Sequence, residues 1–208
     1  EASSMLKKDP HSVVVAGSTD LLSEMKEGVV RPSSLISLVE IPSLGDMTWN
    51  EDGLSIGAMV TLSEIASDPM IRRRCAVLSE ASESVATPQI RNIGTLGGNL
   101  CQRPRCWYYR SGWPCYRAGG NTCYANAPQA LNREHALFES SRCVAVTPSD
   151  TAPAFVVLEA QMEIQNSRGS RMVSAEDFFI GPASDITRMN VMQPEDLLTS
   201  IYIPNKWA

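Results

Sequence analysis

Apolar and polar positions alternate in a way that divides the chain into short strands and helices. The β-branched run VVVA at 13–16 ends in a Gly-Ser-Thr-Asp turn, and the apolar spacing that follows predicts a helix starting near Asp20. Further strand patterns occupy residues 35–39, 54–58, 162–164 and 197–203. The pattern therefore predicts a mixed α+β chain that opens with strand, turn and helix.

Helix signals lie between these strands. Thr61 and Glu64 have the spacing of a capping box, and Pro69 suits the first turn of the next helix. Apolar residues between 77 and 85 predict a longer helix. This helix should end before the Thr87-Pro88 pair, because a residue that precedes proline usually leaves the helical conformation.

Residues 101–142 differ from both flanks because they show little sustained periodicity. A strand is predicted where the pattern resumes at 143–146, and Ser149 with Asp150 predicts the start of a helix that runs through Leu158. An irregular stretch of this length inside a compact domain requires a cause. A bound metal or cluster would supply one, because such a group orders the chain that ligates it.

Composition excludes several classes of protein. The chain has 208 residues, 43% of them hydrophobic, which is enough to bury a substantial core, so a disordered chain is not expected. Its apolar runs are far shorter than the ~18 residues that span a bilayer, so no membrane insertion is expected. A net charge of -5 gives no overall attraction to nucleic acid. With only His11 and His135, histidine-rich metal sites are excluded.

Five of the six cysteines lie in a single stretch of the chain. These five are Cys101, Cys106, Cys115, Cys123 and Cys143. Between residues 84 and 133 the chain has six arginines, six aromatic residues and no Asp or Glu. Because buried thiolates need cations and hydrogen-bond donors nearby, this composition favours a metal or cluster site. The C-x8-C-x7-C-x19-C spacing from Cys106 lacks the C-x2-C pairs typical of structural zinc. A platform for single-stranded nucleic acid would use similar residues and stays open as an alternative.

Two glycine-containing turns are candidates for binding an anion. The segment AGSTDL at 16–21 combines successive backbone N–H groups, hydroxyls and a helix start, which together suit a diphosphate. The segment TLGGN at 95–99 would form a second wall. Neither matches the Rossmann or P-loop glycine pattern. Two ordinary tight turns are the alternative interpretation.

Four segments, in order along the chain, carry a resemblance. They are VVVAGSTDLLSEMK at 13–26, QIRNIGTLGGNLC at 89–101, VTPSDTAPAFVVLEAQMEI at 146–164 and EDLLTSIYIP at 195–204. Together they closely resemble the FAD-binding subunit or domain of the xanthine dehydrogenase family. The insertion CQRPRCWYYRSGWPCYRAGGNTCYA at 101–125 further resembles the subgroup with an additional [4Fe-4S] cluster, as in periplasmic-type aldehyde oxidoreductases and hydroxybenzoyl-CoA reductase. The resemblance covers nearly the whole chain.

The resemblance implies a fold and a division into lobes. The expected fold is α+β, a two-lobed FAD-binding fold of the vanillyl-alcohol-oxidase and molybdopterin-dehydrogenase type with an irregular cluster-binding insertion. Residues 1–50 would form the first lobe, and residues 51–208 the second, which includes the cysteine-rich insertion at 101–143. The C-terminal lobe of the family would be absent, so a truncated FAD domain is expected.

The resemblance also implies an FAD site. Residues 16–21 would wrap the diphosphate, residues 95–99 would line the same cofactor, and Asp150 would bond the ribityl chain or flavin. Val85 and Leu198 would pack near the isoalloxazine, with plain core residues as the alternative. The implied cofactor residues are Ala16, Gly17, Ser18, Thr19, Asp20, Leu21, Val85, Thr95, Leu96, Gly97, Gly98, Asn99, Asp150 and Leu198. Ser18 stands where the family often has glycine, so a positive φ there would be strained.

A [4Fe-4S] cluster is the second implied cofactor. Its expected ligands are Cys106, Cys115, Cys123 and Cys143. Cys101 competes with Cys143 for the fourth place, but by resemblance its position often holds cysteine even in relatives without the insertion, which implies a packed side chain. Distance along the chain does not decide, because loop closure costs only ~0.6 kcal/mol per doubling of length. As a ligand, Cys143 would tether the far end of the insertion.

The implied function is electron transfer within a molybdenum hydroxylase complex of the aldehyde or xanthine dehydrogenase kind. A molybdopterin-binding large subunit would oxidise the substrate, a [2Fe-2S] small subunit would relay electrons, and FAD in this oxidoreductase component would deliver them to an acceptor. No catalytic residue is assigned to this chain. A cytoplasmic location is expected, or a periplasmic one within an exported complex. The alternative is a non-catalytic, zinc-stapled module that binds nucleic acid or protein.

Overall fold

The computed structural model of the chain describes residues 1–138 and 140–208. The α-helices are α1 (Ala2–Lys8), α2 (Leu21–Lys26), α3 (Leu62–Ser67), α4 (Pro69–Arg74), α5 (Ala76–Ser84), α6 (Pro88–Arg91), α7 (Leu96–Leu100), α8 (Trp107–Arg110), α9 (Thr151–Val157) and α10 (Ala175–Phe178). The strands are β1 (Val13–Val15), β2 (Leu35–Ser37), β3 (Met47–Trp49), β4 (Gly53–Gly57), β5 (Gln161–Asn166), β6 (Gly169–Ser174) and β7 (Leu197–Pro204). Short 3-10 helices occupy Pro42–Gly45 and Tyr116–Ala118.

The N-terminal part of the chain forms a small parallel sheet. Strand β1 pairs with β2, so that Val14 lies opposite Ile36. Helix α1 contacts β2 and contributes Leu6 to a small core that also contains Ile36 and Leu44. Because parallel strands need a crossover, the turn after β1 leads directly into helix α2. This strand, turn and helix unit places residues 16–20 at the carboxyl end of β1.

The larger sheet has five antiparallel strands in the order β3-β4-β7-β5-β6. Its inner strands bury apolar side chains at alternating positions, including Leu54 and Ile56 of β4 and Ile201 and Ile203 of β7. Helices α5 and α9 contact each other, and Leu78 and Phe155 extend the same core. This core gives residues 95–100 a rigid support, because Leu96 and Leu100 of α7 are buried in it.

Most elements predicted from the sequence are present. The capping box at the start of α3 is formed, with the Glu64 N–H donating to Thr61 Oγ1 at 3.2 Å and the Thr61 N–H donating to the Glu64 carboxylate at 2.8 Å. Helix α4 begins at Pro69, and α5 ends at Ser84, before the Thr87-Pro88 pair. Strand β3, strand β6 and helix α1 lack a clear apolar pattern and were not predicted.

The strand predicted at 143–146 is wrong. These residues are irregular, although the Ala136 N–H donates to the Val144 carbonyl at 2.8 Å. A β-branched run needs a neighbouring strand edge to pair with, and here the adjacent chain belongs to the irregular insertion. Within the insertion, regular structure is limited to α8 and the 3-10 turn at Tyr116–Ala118.

The predicted lobe boundary at residue 50 lies in the hairpin between β3 and β4. The two-lobe division stays a prediction. In the described part of the chain, residues 1–138 and 140–208, the helices are too short or too polar to cross a membrane.

Candidate functional site

A cleft of about 310 Å³ opens between the turn after β1 and the N-terminal end of α7. This volume lies within the range of small-molecule sites. The cleft is lined by twelve of the fourteen cofactor residues implied by the sequence: Ala16, Gly17, Ser18, Thr19, Asp20, Leu21, Val85, Thr95, Gly97, Gly98, Asn99 and Leu198. Leu96 and Asp150 do not line it. Leu96 is buried in the main core, and Asp150 is exposed beside the start of α9.

The first wall of the cleft offers free backbone donors. The N–H groups of residues 17–20 donate no hydrogen bond to any acceptor among residues 1–138 and 140–208. The carbonyl groups of Ser18 and Asp20, by contrast, accept from Leu22 and Glu24 in the first turn of α2, each at 3.1 Å. Carbonyls directed into a helix and N–H groups left without acceptors make a concavity that suits an anion.

The second wall is different because the fold already uses most of its donors. Leu96 and Gly97 donate to the carbonyls of Val60 and Ala58, both at 2.8 Å, and Gly98 donates to Thr95 Oγ1 at 3.2 Å. A side chain at Gly97 would place its Cβ 2.8 Å from the Cβ of Ala58. The glycines of this turn therefore allow α7 to pack closely on the protein, and the turn contributes shape to the cleft.

Gly17 joins the two walls. A Cβ at this position would lie 2.0 Å from the carbonyl oxygen of Ile93. The absence of a side chain therefore lets the turn after β1 approach the backbone just before Gly94. The sequence predicted that the backbone at this glycine approaches a ligand. The contact that requires glycine is instead the one between Gly17 and the Ile93 carbonyl of the protein itself.

Asn99 has a fixed orientation at the cleft. Its Oδ1 accepts hydrogen bonds from Ser149 Oγ at 2.6 Å and from Thr151 Oγ1 at 2.7 Å. The Ser149 hydroxyl also accepts from the Ala152 N–H at the start of α9. Because the amide oxygen is occupied by two donors, the amide nitrogen is the group available to a ligand. Ser149 and Thr151 flank Asp150 in the sequence. The segment around Asp150 is therefore connected to the cleft through Asn99, although Asp150 itself does not line it.

Two residues with unusual backbone conformations line the cleft. Ser18 has φ of 60° and Ala86 has φ of 44°, both in the left-handed region that disfavours side chains. Ser18 is the position at which the resemblance would place glycine, so the strain expected for a positive φ is present. Strained residues of this kind persist where the surrounding structure holds them, which often happens at binding sites.

An ionic network connects α2 to the cysteine-rich insertion. Arg110 lies 3.0 Å from the Asp20 carboxylate and 3.6 Å from that of Glu24. Arg103 lies 3.3 Å from Glu24, and Arg105 lies 3.3 Å from Asp20. Burial raises the pKa of the Glu24 carboxyl, and the guanidinium groups of Arg103 and Arg110 oppose that shift. Arg103, Arg105 and Arg110 of the insertion therefore find counter-charges at the start of α2, about 80 to 90 residues earlier in the chain.

The four cysteines expected to ligate a cluster surround a second, smaller cavity, here called the cysteine chamber. Its lining includes Cys106, Cys115, Cys123 and Cys143 together with Arg117, His135 and Arg142. Burial raises the pKa of the Cys106 thiol, and the nearby thiols of Cys115 and Cys143 raise it further. Across residues 1–138 and 140–208, no group of three or more His, Cys, Asp or Glu side chains is placed closely enough to hold a metal ion. The four thiols thus share a cavity without converging on one point.

Two residues that line the cysteine chamber have buried polar atoms without hydrogen-bond partners among the described residues. Both ring nitrogens of His135 and the Nε of Arg117 are buried and form no hydrogen bond with the described residues. Burial lowers the pKa of His135, which favours the neutral imidazole. Buried donors and acceptors are rarely left unpaired in proteins. The chamber therefore has polar groups that a bound anionic group would satisfy.

Cys101 lies apart from the chamber. It lines the cleft, and its Sγ is 3.7 Å from the Sδ of Met192. Burial raises the pKa of the Cys101 thiol to about 12. Sequence analysis did not identify Met192, because it belongs to an irregular segment with no recognisable motif.

Comparison with known proteins identifies the family of this domain. The family described as "FAD binding domain in molybdopterin dehydrogenase" matches residues 1–206. The aldehyde oxidoreductase FAD-binding subunit PaoB of Escherichia coli is 33% identical over 98% of this chain and 65% of its own length. The nicotine 6-hydroxylase medium subunit of Paenarthrobacter nicotinovorans is 25% identical over 99% of this chain and 56% of its own length.

The fold is shared with solved structures. A chain of carbon monoxide dehydrogenase from Hydrogenophaga pseudoflava superposes with a TM-score of 0.71 at 23% identity, covering 98% of this chain and 55% of that one. The predicted α+β fold class is thereby confirmed. This chain spans about half to two thirds of the length of the relatives that it matches. It belongs to the family of FAD-binding domains found in molybdopterin dehydrogenases.

Proposed function

We propose that this chain holds FAD in the cleft and a [4Fe-4S] cluster in the cysteine chamber, as an electron-transfer component of a molybdenum hydroxylase complex. The observation that carries the FAD assignment is the row of N–H groups at residues 17–20. These residues line a cleft of about 310 Å³, and their N–H groups donate to no acceptor among the described residues. A diphosphate is an anion that such a row binds well.

The residues around the cleft suit the different parts of FAD. The N–H groups of residues 17–20 would bind the diphosphate, and the Asn99 amide nitrogen would donate to a polar part of the cofactor. Val85 and Leu198 line the cleft and would contact the apolar ring system. When bound, FAD would accept electrons and pass them on to an acceptor. The protein's contribution is to bind and orient the cofactor.

The residues of the chamber suit a cluster bound by thiolates. Cys106, Cys115, Cys123 and Cys143 would be its ligands, and Cys101, which lines the cleft, would not. Burial raises the pKa of the Cys106 thiol, and a bound metal would lower it again because the cation stabilises the thiolate form. His135 and Arg117 would donate hydrogen bonds to the sulfur atoms of the cluster.

The proposed partners follow from the relatives. PaoB is described as an FAD-binding subunit of an aldehyde oxidoreductase, and the nicotine 6-hydroxylase relative as a medium subunit. We propose the same role here, beside a molybdopterin-binding large subunit and a [2Fe-2S] small subunit. Residues 1–50 and 51–208 remain our proposed lobes. The site residues, the electron route and the complex are parts of this proposal.

A visible spectrum of anaerobically purified protein tests both cofactors, together with iron, zinc and acid-labile sulfide analysis. We expect flavin bands, a broad iron-sulfur band and about four irons and four sulfides per chain, as the cluster's own formula requires. A colourless protein with one zinc would instead support the non-catalytic module. Flavin without iron would support the cleft assignment and reject the chamber assignment.

The ionic network argues against the nucleic-acid alternative. Three arginines of the insertion face three carboxylates at α2, those of Asp20, Glu24 and Glu27, so their charge is locally balanced. We therefore expect no gel shift with single-stranded oligonucleotides at moderate salt. Binding that weakens steeply with salt, as phosphate contacts do, would favour the alternative.

A further inference from the structure

The ionic network joins the two proposed cofactor sites, and Arg110 lies at its centre. Its guanidinium donates to both Asp20 carboxylate oxygens, at 3.0 and 3.2 Å, and lies 3.6 Å from the Glu24 carboxylate. It also donates to the carbonyls of Pro104 and Arg103 at 2.9 and 3.2 Å. The Arg110 side chain is only 10% exposed, and those of Asp20 and Glu24 are 15% and 5% exposed. These contacts hold the guanidinium in one orientation.

The ion pair between Arg110 and Asp20 connects the two proposed sites, because each of these residues belongs to one of them or lies close to it. Asp20 is the last residue of the N–H row and precedes the first residue of α2. At the other end, Arg110 is the last residue of α8, and its N–H donates to the carbonyl of Cys106 at 2.9 Å. Cys106 lines the cysteine chamber. A shift of Cys106 would therefore move α8, the guanidinium of Arg110 and the carboxylate of Asp20.

The energetics favour transmission along this path. Without Arg110, the mostly buried carboxylates of Asp20 and Glu24 would lose the one buried cation that they share. Each would keep only a half-exposed arginine, Arg105 or Arg103, and their repulsion would displace the start of α2. The N–H row depends on that helix start, because the carbonyls of Ser18 and Asp20 accept hydrogen bonds from its first turn. The donors for the diphosphate would then lose their alignment.

We propose that Arg110 is a positioning residue that couples the two sites, so that a cluster in the chamber strengthens FAD binding in the cleft. This inference rests on the proposed function. Coupling of this kind is reciprocal, so bound FAD would stabilise the cluster by the same factor. A factor of about ten is typical of such linkage.

The test measures the dissociation constant of FAD for cluster-loaded and cluster-free protein. The cluster is removed with an iron chelator and rebuilt with iron(II) and sulfide. We expect about tenfold weaker FAD binding by the cluster-free wild type. In Arg110→Met both forms should bind FAD with the weaker affinity, so that their ratio falls to about one. Arg110→Lys, which retains the charge, should recover part of the ratio.

Arg133→Met is the matched control. This arginine lies in the same insertion, is 94% exposed and pairs with the adjacent Glu134. It should keep the full tenfold ratio. A merely structural role for Arg110 would lower FAD affinity in both forms and leave their ratio unchanged, and that result would overturn the inference. A ratio of one in the wild type would also overturn it, whether or not the variants fold. Failure of the wild type to bind FAD or iron would instead reject the proposed function.

Discussion

The cleft takes its walls from turns at the ends of regular elements, whereas the cysteine chamber is enclosed by an insertion with little regular structure. In the cleft, a strand end, two helix starts and a hydrogen-bonded Asn99 hold the lining in place. In the chamber, four thiols line one cavity but do not converge. Under the proposed function, the cleft would be a preorganised site for an organic cofactor, whereas the final geometry of the chamber would depend on binding of its metal.

The largest effect should come from the chamber ligands. We expect Cys143→Ser to lose the [4Fe-4S] cluster entirely, since Cys143 lines the chamber and connects it to the chain beyond the insertion. Cys101→Ser should keep the cluster, because Cys101 lies at the cleft beside Met192. Iron analysis, EPR of the reduced protein and limited proteolysis of the insertion measure the outcome.

The two cysteine variants control each other, since each removes a single thiol. A full cluster in Cys143→Ser would contradict our choice of ligands. Loss of the cluster in Cys101→Ser alone would place the fourth ligand at the cleft and remove the contrast between the two regions.

A substitution at Gly17 tests whether the cleft is preorganised. In Gly17→Val the new Cβ would overlap the Ile93 carbonyl, so the first wall must move away from the second. We expect FAD affinity to fall by about a hundredfold or more, as the donors in the N–H row lose alignment, which costs about 1 kcal/mol for each lost hydrogen bond. Quantitation of released flavin measures this effect.

Gly181→Val is the control for Gly17→Val, because nothing lies within 4 Å of a Cβ at Gly181. It should retain flavin. Iron content under excess iron and sulfide should be similar in both variants, since neither glycine lines the chamber. Equal flavin occupancy in the two variants would show that the first wall does not bind the cofactor.

A smaller effect is expected from the hydroxyls that orient Asn99. Ser149→Ala removes one of the two donors to Asn99 Oδ1 while Thr151 remains, so the amide is held less firmly. We expect FAD to bind about fivefold more weakly, consistent with roughly 1 kcal/mol for one hydrogen bond. Ser84→Ala is the control, because the Ser84 hydroxyl is exposed and donates to Ala81 in its own helix. Unchanged affinity in Ser149→Ala would exclude a role for Asn99 orientation.

A further prediction concerns the protonation of Cys101. Its pKa of about 12 lies above the ordinary value of 9.0, so the thiol stays protonated at pH 8 and reacts only through a minute thiolate fraction. Alkylation by iodoacetamide, followed by mass spectrometry of the Cys101 peptide, should accelerate about tenfold per pH unit from pH 8 to 11. N-acetylcysteine should level off near pH 9 to 10. A similar plateau for Cys101 would show an exposed, ordinary thiol.

The same shift affects stability at high pH. The folded pKa lies above the unfolded one, so the stabilising contribution of Cys101 is complete below about pH 9 and is lost as the pH rises towards 12. Cys101→Ala should therefore reduce the loss of unfolding free energy in that range, as measured by denaturant titration.

The sequence alone determined those features that depend on neighbours along the chain. The strand, turn and helix at 13–26, the capping box of α3 and the start of α4 at Pro69 follow from local hydrogen bonding and backbone preference. The resemblance to the FAD-binding family, also visible in the sequence, implied twelve residues that line the cleft. The clustering of cysteines pointed to the four that line the chamber, because metal-ligating residues can be recognised from their type alone.

Only the tertiary structure decided which distant groups meet. Arg110 pairs with Asp20 across 90 residues, Gly17 lies against Ile93, and the residues flanking Asp150 contact Asn99 while Asp150 itself is exposed. The strand expected at 143–146 is absent for a related reason, because the local sequence does not show whether a neighbouring strand is available for pairing. Local periodicity records which way a residue faces, but strand partners, counter-charges and cavity walls depend on how separate elements pack together.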